Sequence, residues 1–255
     1  MTGWQHGPLA LFDVESTGVD PHRDRIVTAA IIETTPGQGR PYRSSLWMLN
    51  PGIPIPEGAT AVHGITTARA QEDGADPSGA VCEIAQHLVR LSHRGVPIIG
   101  HNVRYDLTML RAECLRHCPD LAPAVAALAP VVDTMVLDKQ VDRYRKGSRR
   151  LTDVARHYGL TVDDANAHGA EYDALLAGRI AWCLAHRNPR VATLPPFELH
   201  SSQVAWAREM AESFATYLLK KGEPADGVAR EWPVDPPPDG WSVDDLPAAS
   251  VGAVA

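Results

Sequence analysis

Residues 8–18 read Pro8-Leu9-Ala10-Leu11-Phe12-Asp13-Val14-Glu15-Ser16-Thr17-Gly18. An apolar run that turns polar and then breaks at Ser-Thr-Gly predicts a buried strand ending near Glu15. On a strand, side chains two residues apart share a face. Asp13 and Glu15 therefore project together, and Val14 points the other way, into the core. Two carboxylates ~4 Å apart repel by about 4 kcal/mol at an effective dielectric of ~20. Either water at the strand end relieves that cost, or a hard cation does, and oxygen ligands suit Mg²⁺ or Mn²⁺. The pair alone leaves both readings open.

Working outward, residues 26–34 form a second β-rich apolar run, Pro36-Gly37-Gln38-Gly39 a turn, and residues 44–49 a third strand. Such short connections favour antiparallel neighbours. Residues 77–91 carry Ala80, Val81, Ile84, Ala85, Leu88 and Leu91 at helical spacing. A short apolar strand at 97–100, a helix at 105–117 and a fifth strand at Val131-Val132 follow. Leu151, Val154, Ala155 and Tyr158 make a short helix stopped by Gly159, and residues 170–186 the next. Three strands followed by alternating strands and helices predict an α/β fold with antiparallel and parallel pairings. Ligands of such sheets sit at strand ends where connections diverge.

The chain has 255 residues, between one and two domains at about 150 residues each. With 44% hydrophobic and 22% charged residues, the composition is that of a globular protein, neither disordered nor fibrous. No apolar run reaches membrane-spanning length and the N-terminus carries no secretory pattern, so a cytoplasmic protein without a membrane partner is expected. The net charge of −7, from 24 basic and 31 acidic residues, disfavours tight sequence-independent duplex binding. It leaves room for an enzyme whose metal site is itself made of carboxylates. Cys82, Cys114, Cys118 and Cys183 lack the paired spacing of a zinc site and read as free thiols.

Beyond a first domain over residues 1–190, Pro195-Pro196 marks a boundary, and Ser202 to Lys221 is a candidate amphipathic helix within an extension over residues 191–222. Val204, Ala207, Ala211, Phe214 and Leu218 form its apolar stripe. Residues 223–255 are proline-rich and predict an extended or disordered tail. Trp206, Trp232 and Trp241 in this region could pin the tail, stack bases or meet a partner.

Two further segments join the first. Gly100-His101-Asn102-Val103-Arg104-Tyr105-Asp106 puts Asp106 in the first turn of a helix, where dipole compensation is the plain alternative. Ala167-His168-Gly169-Ala170-Glu171-Tyr172-Asp173 puts His168 five residues before Asp173. Taken in order, Asp-x-Glu-x-Thr-Gly, His-Asn-x-x-x-Asp and His-x-x-x-x-Asp resemble the DEDDh, or DnaQ-like, 3′–5′ exonucleases over residues 8–187. Ala61-Val62-His63-Gly64-Ile65 resembles that family's Val-His-Gly-Ile segment, and Leu151-Thr152-Asp153-Val154-Ala155 the helix before its third motif. Val14 and Ser16 depart from the small residues usual at those places, and neither change touches a metal ligand.

The resemblance implies a ribonuclease H-like mixed five-stranded sheet flanked by helices. It also implies a two-metal phosphodiester hydrolysis. Asp13, Glu15, Asp106 and Asp173 would hold two divalent ions, Mg²⁺ or Mn²⁺, about 3.5–4 Å apart. His168 would be the general base, a task suited to a side chain whose ordinary pKa is about 6.5. Thr17, Gly18, His63 and Asn102 would contact the terminal nucleotide. The implied substrate is single-stranded nucleic acid, DNA ahead of RNA, cut from its 3′ end to nucleoside 5′-monophosphates, with a polymerase or another replication or repair protein as partner. The alternatives are an oligoribonuclease-like exoribonuclease, a phosphodiesterase of small nucleotides, and a noncatalytic replisome-associated module. A missing ligand would mark the last, and none is missing. Asp133 reads as a helix N-cap. The basic run Arg143-Tyr144-Arg145-Lys146 with Arg149-Arg150 either draws a nucleic-acid backbone or is a solvated loop.

Overall fold

A computed structural model describes residues 3–37, 42–163 and 168–242. In chain order, strands β1 (Leu9–Ser16), β2 (Ile26–Thr34) and β3 (Arg43–Met48) precede helices α1 (Glu57–His63), α2 (Thr67–Asp73) and α3 (Pro77–His93). Then come β4 (Ile98–Gly100), α4 (Val103–His117), α5 (Ala122–Ala126), β5 (Val131–Asp133), α6 (Thr134–Val141), α7 (Leu151–His157), α8 (Ala170–Arg187), α9 (Pro189–Thr193) and α10 (Pro196–Lys220). The sheet order is β3-β2-β1-β4-β5. The first three strands pair antiparallel and β1-β4-β5 parallel. This is the mixed five-stranded ribonuclease H-like arrangement expected from the sequence.

The alternation of β1 assigns its residues to two cores. Ala10, Phe12 and Val14 pack with α3 and α4 on one face, and Leu9 and Leu11 with α8 on the other. Asp13 and Glu15 continue the second set, so both emerge on the α8 face at the end of β1. The helix α8 lies close to β1. A Cβ on Gly178 would come within 2.6 Å of the Leu11 side chain, so only glycine permits this approach. Asp76 caps α3 by accepting from the Ser78 N–H, with Pro77 in the first helical turn. Asp133 caps α6, accepting from Met135 and Val136 N–H, as read from the sequence.

The C-terminal region differs from expectation in two respects. Helix α10 begins at Pro196, several residues before Ser202, because a proline fits the first helical turn, where an N–H would be unpaired in any case. It also covers the edge of the sheet. Gln203 donates to Val131 O at 3.0 Å and accepts from Asp133 N–H at 2.8 Å, occupying the backbone groups that an edge strand leaves open.

Residues 223–242 form no helix or strand, as their prolines require, yet they are packed rather than disordered. Trp232 is buried, its indole N–H lies 3.5 Å from Asp133 Oδ2, and its ring is 5.2 Å from that of His200. Thr108 accepts from Asp235 N–H, and Asp235 Oδ2 lies 3.6 Å from Arg104 Nε. Burial of the indole and these polar anchors hold the segment; residues 243–255 lie outside the described residues. Among the described residues no helix is long and apolar enough to cross a membrane, and all four cysteines are free.

Candidate active site

Three carboxylates meet at the carboxyl end of β1, and a fourth, Asp106, stands near enough to raise the Asp13 pKa. One oxygen each from Asp13, Glu15 and Asp173 lies within 4.8 Å of the others. Asp173 reaches the site from the first turn of α8. Asp106 stands in the first turn of α4. Its Oδ1 accepts the Val14 N–H at 3.0 Å, which ties the helix to the strand between the two acids of the first motif.

The cluster is electrostatically costly. Burial, then the charges of Asp106, Glu15 and Asp173, push the Asp13 carboxyl well above its ordinary range. Burial, then Asp173 and Asp106, raise Glu15 to about 8. Burial also raises Asp106 to about 8, even though the Val14 N–H favours its ionised form. Asp173 is raised by burial, against the pull of His168. One Asp173 oxygen is buried with no hydrogen-bond partner. Hard oxygen donors that repel one another around an unpaired buried oxygen fit divalent cations such as Mg²⁺ or Mn²⁺.

His168 lies just before α8 in the left-handed region, at φ 69°, with an exposed ring. It lines the same groove as Glu15 and His63. His63, at the end of α1, accepts from Ile65 N–H through Nδ1. Burial lowers the pKa of its ring, against a hydrogen bond with the Ser16 backbone. Trp47 and Tyr172 widen the apolar part of this groove.

The Thr17-Gly18 turn is tied down by hydrogen bonds. Thr17 is 1% exposed. Its hydroxyl donates to Asp24 Oδ1 and accepts from Arg25 N–H, and its own N–H donates to Arg25 O at 2.9 Å, so neither its hydroxyl nor its N–H is left for a substrate. A Cβ on Gly18 would fall 2.5 Å from the Asp24 carboxylate. The Tyr105 hydroxyl contacts Gly18 O at 2.5 Å and Ser16 Oγ at 2.7 Å. Asn102, at φ 59°, donates its N–H to Asp133. It lines a second cavity beside Arg104 and Trp232, not the groove of His63 and His168. His101 is a strut, with its ring nitrogens 2.8 Å from Thr134 Oγ1 and Arg149 O.

Sequence reasoning missed the clamp behind the turn. Buried Glu113 holds Arg25 at 2.7 Å and Arg116 at 3.1 Å. Arg116 donates to the carbonyls of His22 and Asp24. The seven-residue spacing of Asp106 and Glu113 was the available signal, since it puts both on one face of α4. The basic run is largely structural. Arg145 and Arg149 both bind the buried Asp138 carboxylate, and Arg143 pairs with Glu209. That leaves Lys146 and Arg150 as its unassigned charges.

The family model described as exonuclease, of the RNase T type, matches residues 11–181. A DNA polymerase III subunit epsilon-like protein of Rhodobacter capsulatus is 29% identical over 168 residues, 66% of this chain and 22% of its own length. DNA polymerase III subunit epsilon of Treponema pallidum is 29% identical over 171 residues, 67% of this chain and 73% of its own length. Exonuclease I of E. coli, solved with a dT13 oligonucleotide, superposes with a TM-score of 0.60 at 22% identity, over 72% of this chain and 42% of that one. Exonuclease I of Methylocaldum szegediense gives a TM-score of 0.59 at 22% identity, over 84% and 45%. The chain thus matches under half of exonuclease I and about a fifth of the Rhodobacter protein; at these identities the structural likeness concerns the fold. The family match spans both sequence motifs of β1 and α4 and the Asp173 helix, and on it the chain belongs to the RNase T exonuclease family.

Proposed function

We propose that this protein is a metal-dependent 3′–5′ exonuclease that releases nucleoside 5′-monophosphates from single-stranded DNA. The convergence of Asp13, Glu15 and Asp173, with Asp106 behind them, carries this reading. Family membership supports the hydrolytic class, and the oligonucleotide bound to exonuclease I supports a single strand as substrate.

Asp13, Glu15, Asp106 and Asp173 would hold the divalent ions. When bound, these lower the pKa of the attacking water and offset the charge that builds on the phosphate and the leaving 3′-oxygen. His168 receives the proton of that water at a ring nitrogen. Its exposed position before α8 lets the ring turn over the scissile phosphate while Asp173 stays fixed on the helix. The Thr17-Gly18 turn and His63 position the terminal nucleotide. The His63 ring lies beside the Ser16 backbone at the end of β1, and Asn102 flanks the far side of the α4 N-terminus.

The test uses 5′-labelled DNA and RNA strands of one sequence, with Mg²⁺, Mn²⁺ or chelator, and with Asp13→Ala and His168→Ala variants. A metal-dependent ladder shortening from the 3′ end and lost in both variants is the expected result. The faster strand names the substrate. No shortening of either strand with any metal would refute the reading.

A further inference from the structure

We propose that the cavity between α4, α6, α10 and the C-terminal segment binds a nucleoside phosphate, with the phosphate on Lys139 and Arg104 and the base against Phe214. Its volume is about 440 Å³, within the size range of small-ligand sites. It opens where β4 and β5 end, at Asn102 and Asp133, the edge of a parallel sheet where ligands collect. It is separate from the catalytic groove. Arg104 and Asp106 are two residues apart on α4, so their side chains leave the helix about 200° apart. The inference therefore concerns a second site and stands independently of the hydrolytic reading.

The charges of the cavity are uneven in a way that calls for an anion. Asp133 is its acid, and that carboxylate is already engaged by the Asn102, Met135 and Val136 N–H groups, with the Trp232 indole on its other oxygen. Arg104 gives one bond to Ala229 O and faces Asp235 at 3.6 Å, which leaves part of its five-donor fork free. The Lys139 ammonium makes no hydrogen bond or ion pair among the described residues. It is half-buried among Asp133, Asp138, Arg104 and Arg149, and burial lowers its pKa. Asp138 does not satisfy it, being taken by Arg145 and Arg149. A partly desolvated cation without a partner is costly, and a phosphate would complete it.

The remaining wall is apolar. Met210, Ala211 and Phe214 of α10 line it. Phe214 is 53% exposed, and its ring stacks on Tyr217 at 6.4 Å. Aromatic faces bind bases regardless of sequence. The same chemistry serves an upstream step of a bound strand or a free mononucleotide.

Binding is measured on the full chain in EDTA, so that no strand is cut. The probes are thymidine 5′-monophosphate, by calorimetry, and a fluorescein-labelled oligothymidine, by anisotropy. Lys139→Glu reverses the unpaired charge and Ala211→Trp fills the cavity; thermal melts of each establish folding. Both variants are expected to weaken binding about tenfold or more. Loss for both probes places a strand across the cavity, and loss for the mononucleotide alone assigns it to free nucleotide. If Ala211→Trp does not fold, Lys139→Glu decides. The inference is overturned if wild type binds neither probe, or if folded variants bind as wild type does. A protein that binds here but shortens no strand would sink the hydrolytic reading and leave this one standing.

Discussion

Without metal, the protein should lose stability as pH rises from about 4 to about 8. Asp106 and Glu15 have folded-state pKa values raised from 3.8 and 4.5 to about 8. A raised carboxyl pKa means that the folded chain holds more protons than the unfolded one through this window, so its stability falls with pH. Each pKa unit corresponds to ~1.36 kcal/mol. The shift of Asp106, from 3.8 to about 8, thus corresponds to about 5–6 kcal/mol. The Asp106 charge raises Glu15 directly and Asp173 raises both, so they titrate together, and the cluster is assigned about 5 kcal/mol and not the sum of its members. That is a large part of the ~5–15 kcal/mol available to a folded domain. At ~2–4 °C per kcal/mol for a chain of this size, it amounts to a melting point about 10–20 °C lower at the upper end of the window.

Thermal melts in EDTA across that window, paired with melts in excess MgCl₂, measure it. Magnesium should restore most of the loss at high pH by binding only the folded state, and little at low pH, where protons already neutralise the acids. Asp106→Asn keeps the acceptor for the Val14 N–H while removing a charge, so it should flatten the slope and raise the metal-free melting point near pH 8. A metal-free melting point that is flat or rises with pH would refute the reasoning. So would an Asp106→Asn protein with the wild-type slope.

Further outcomes follow from single contacts. His168→Ala should lower the cleavage rate by about 10²–10⁴ with an unchanged melting point, since the ring is exposed; a fall in stability would show that the ring has a packing role. Glu113→Ala strands Arg25 and Arg116 as buried, unpaired cations and should cost about 3–5 kcal/mol in urea unfolding. Gly18→Ala drives a Cβ against the Asp24 carboxylate; KM for an oligonucleotide should rise more than kcat falls, as steady-state kinetics would register. Trp232→Ala should cost about 3–5 kcal/mol as a large buried ring is lost, read from thermal melts.

The fold and the acidic cluster were legible because their causes are local. Strand alternation alone put Asp13 and Glu15 on one face and Val14 in the core, and a helix start after a short strand put Asp106 in a first turn. The unread parts depend on distant partners. Arg145 and Arg149 look like a nucleic-acid patch in sequence, yet both turn inward to Asp138, a pairing that spacing does not reveal. The proline-rich segment reads as loose because prolines preclude regular structure. They do not preclude packing, and Trp232 finds its place against Asp133, 99 residues earlier. Thr17 reads as a substrate contact, but its hydroxyl is spent on Asp24 and the Arg25 N–H.

These pairings converge on α4, which joins the strand and the turn that follows it. The face that carries Asp106 also carries Glu113 two turns on. Asp106 grips β1 through the Val14 N–H. Glu113, through Arg116, grips the carbonyls of the turn that follows β1. Tyr105 closes the gap between them at Gly18 O. Strand, turn and carboxylate are thereby indexed to one rigid helix, so a shift of α4 would displace a metal ligand and the substrate turn together. Glu113→Gln tests that coupling against simple stability. It keeps the volume and one acceptor oxygen but removes the charge and puts an amide N–H donor against the guanidinium and imidazole groups that Glu113 holds, so in a protein still fully folded by circular dichroism both Mg²⁺ affinity and oligonucleotide KM should worsen. A variant that loses melting temperature while both constants stay at wild-type values would reduce Glu113 to a structural ion pair.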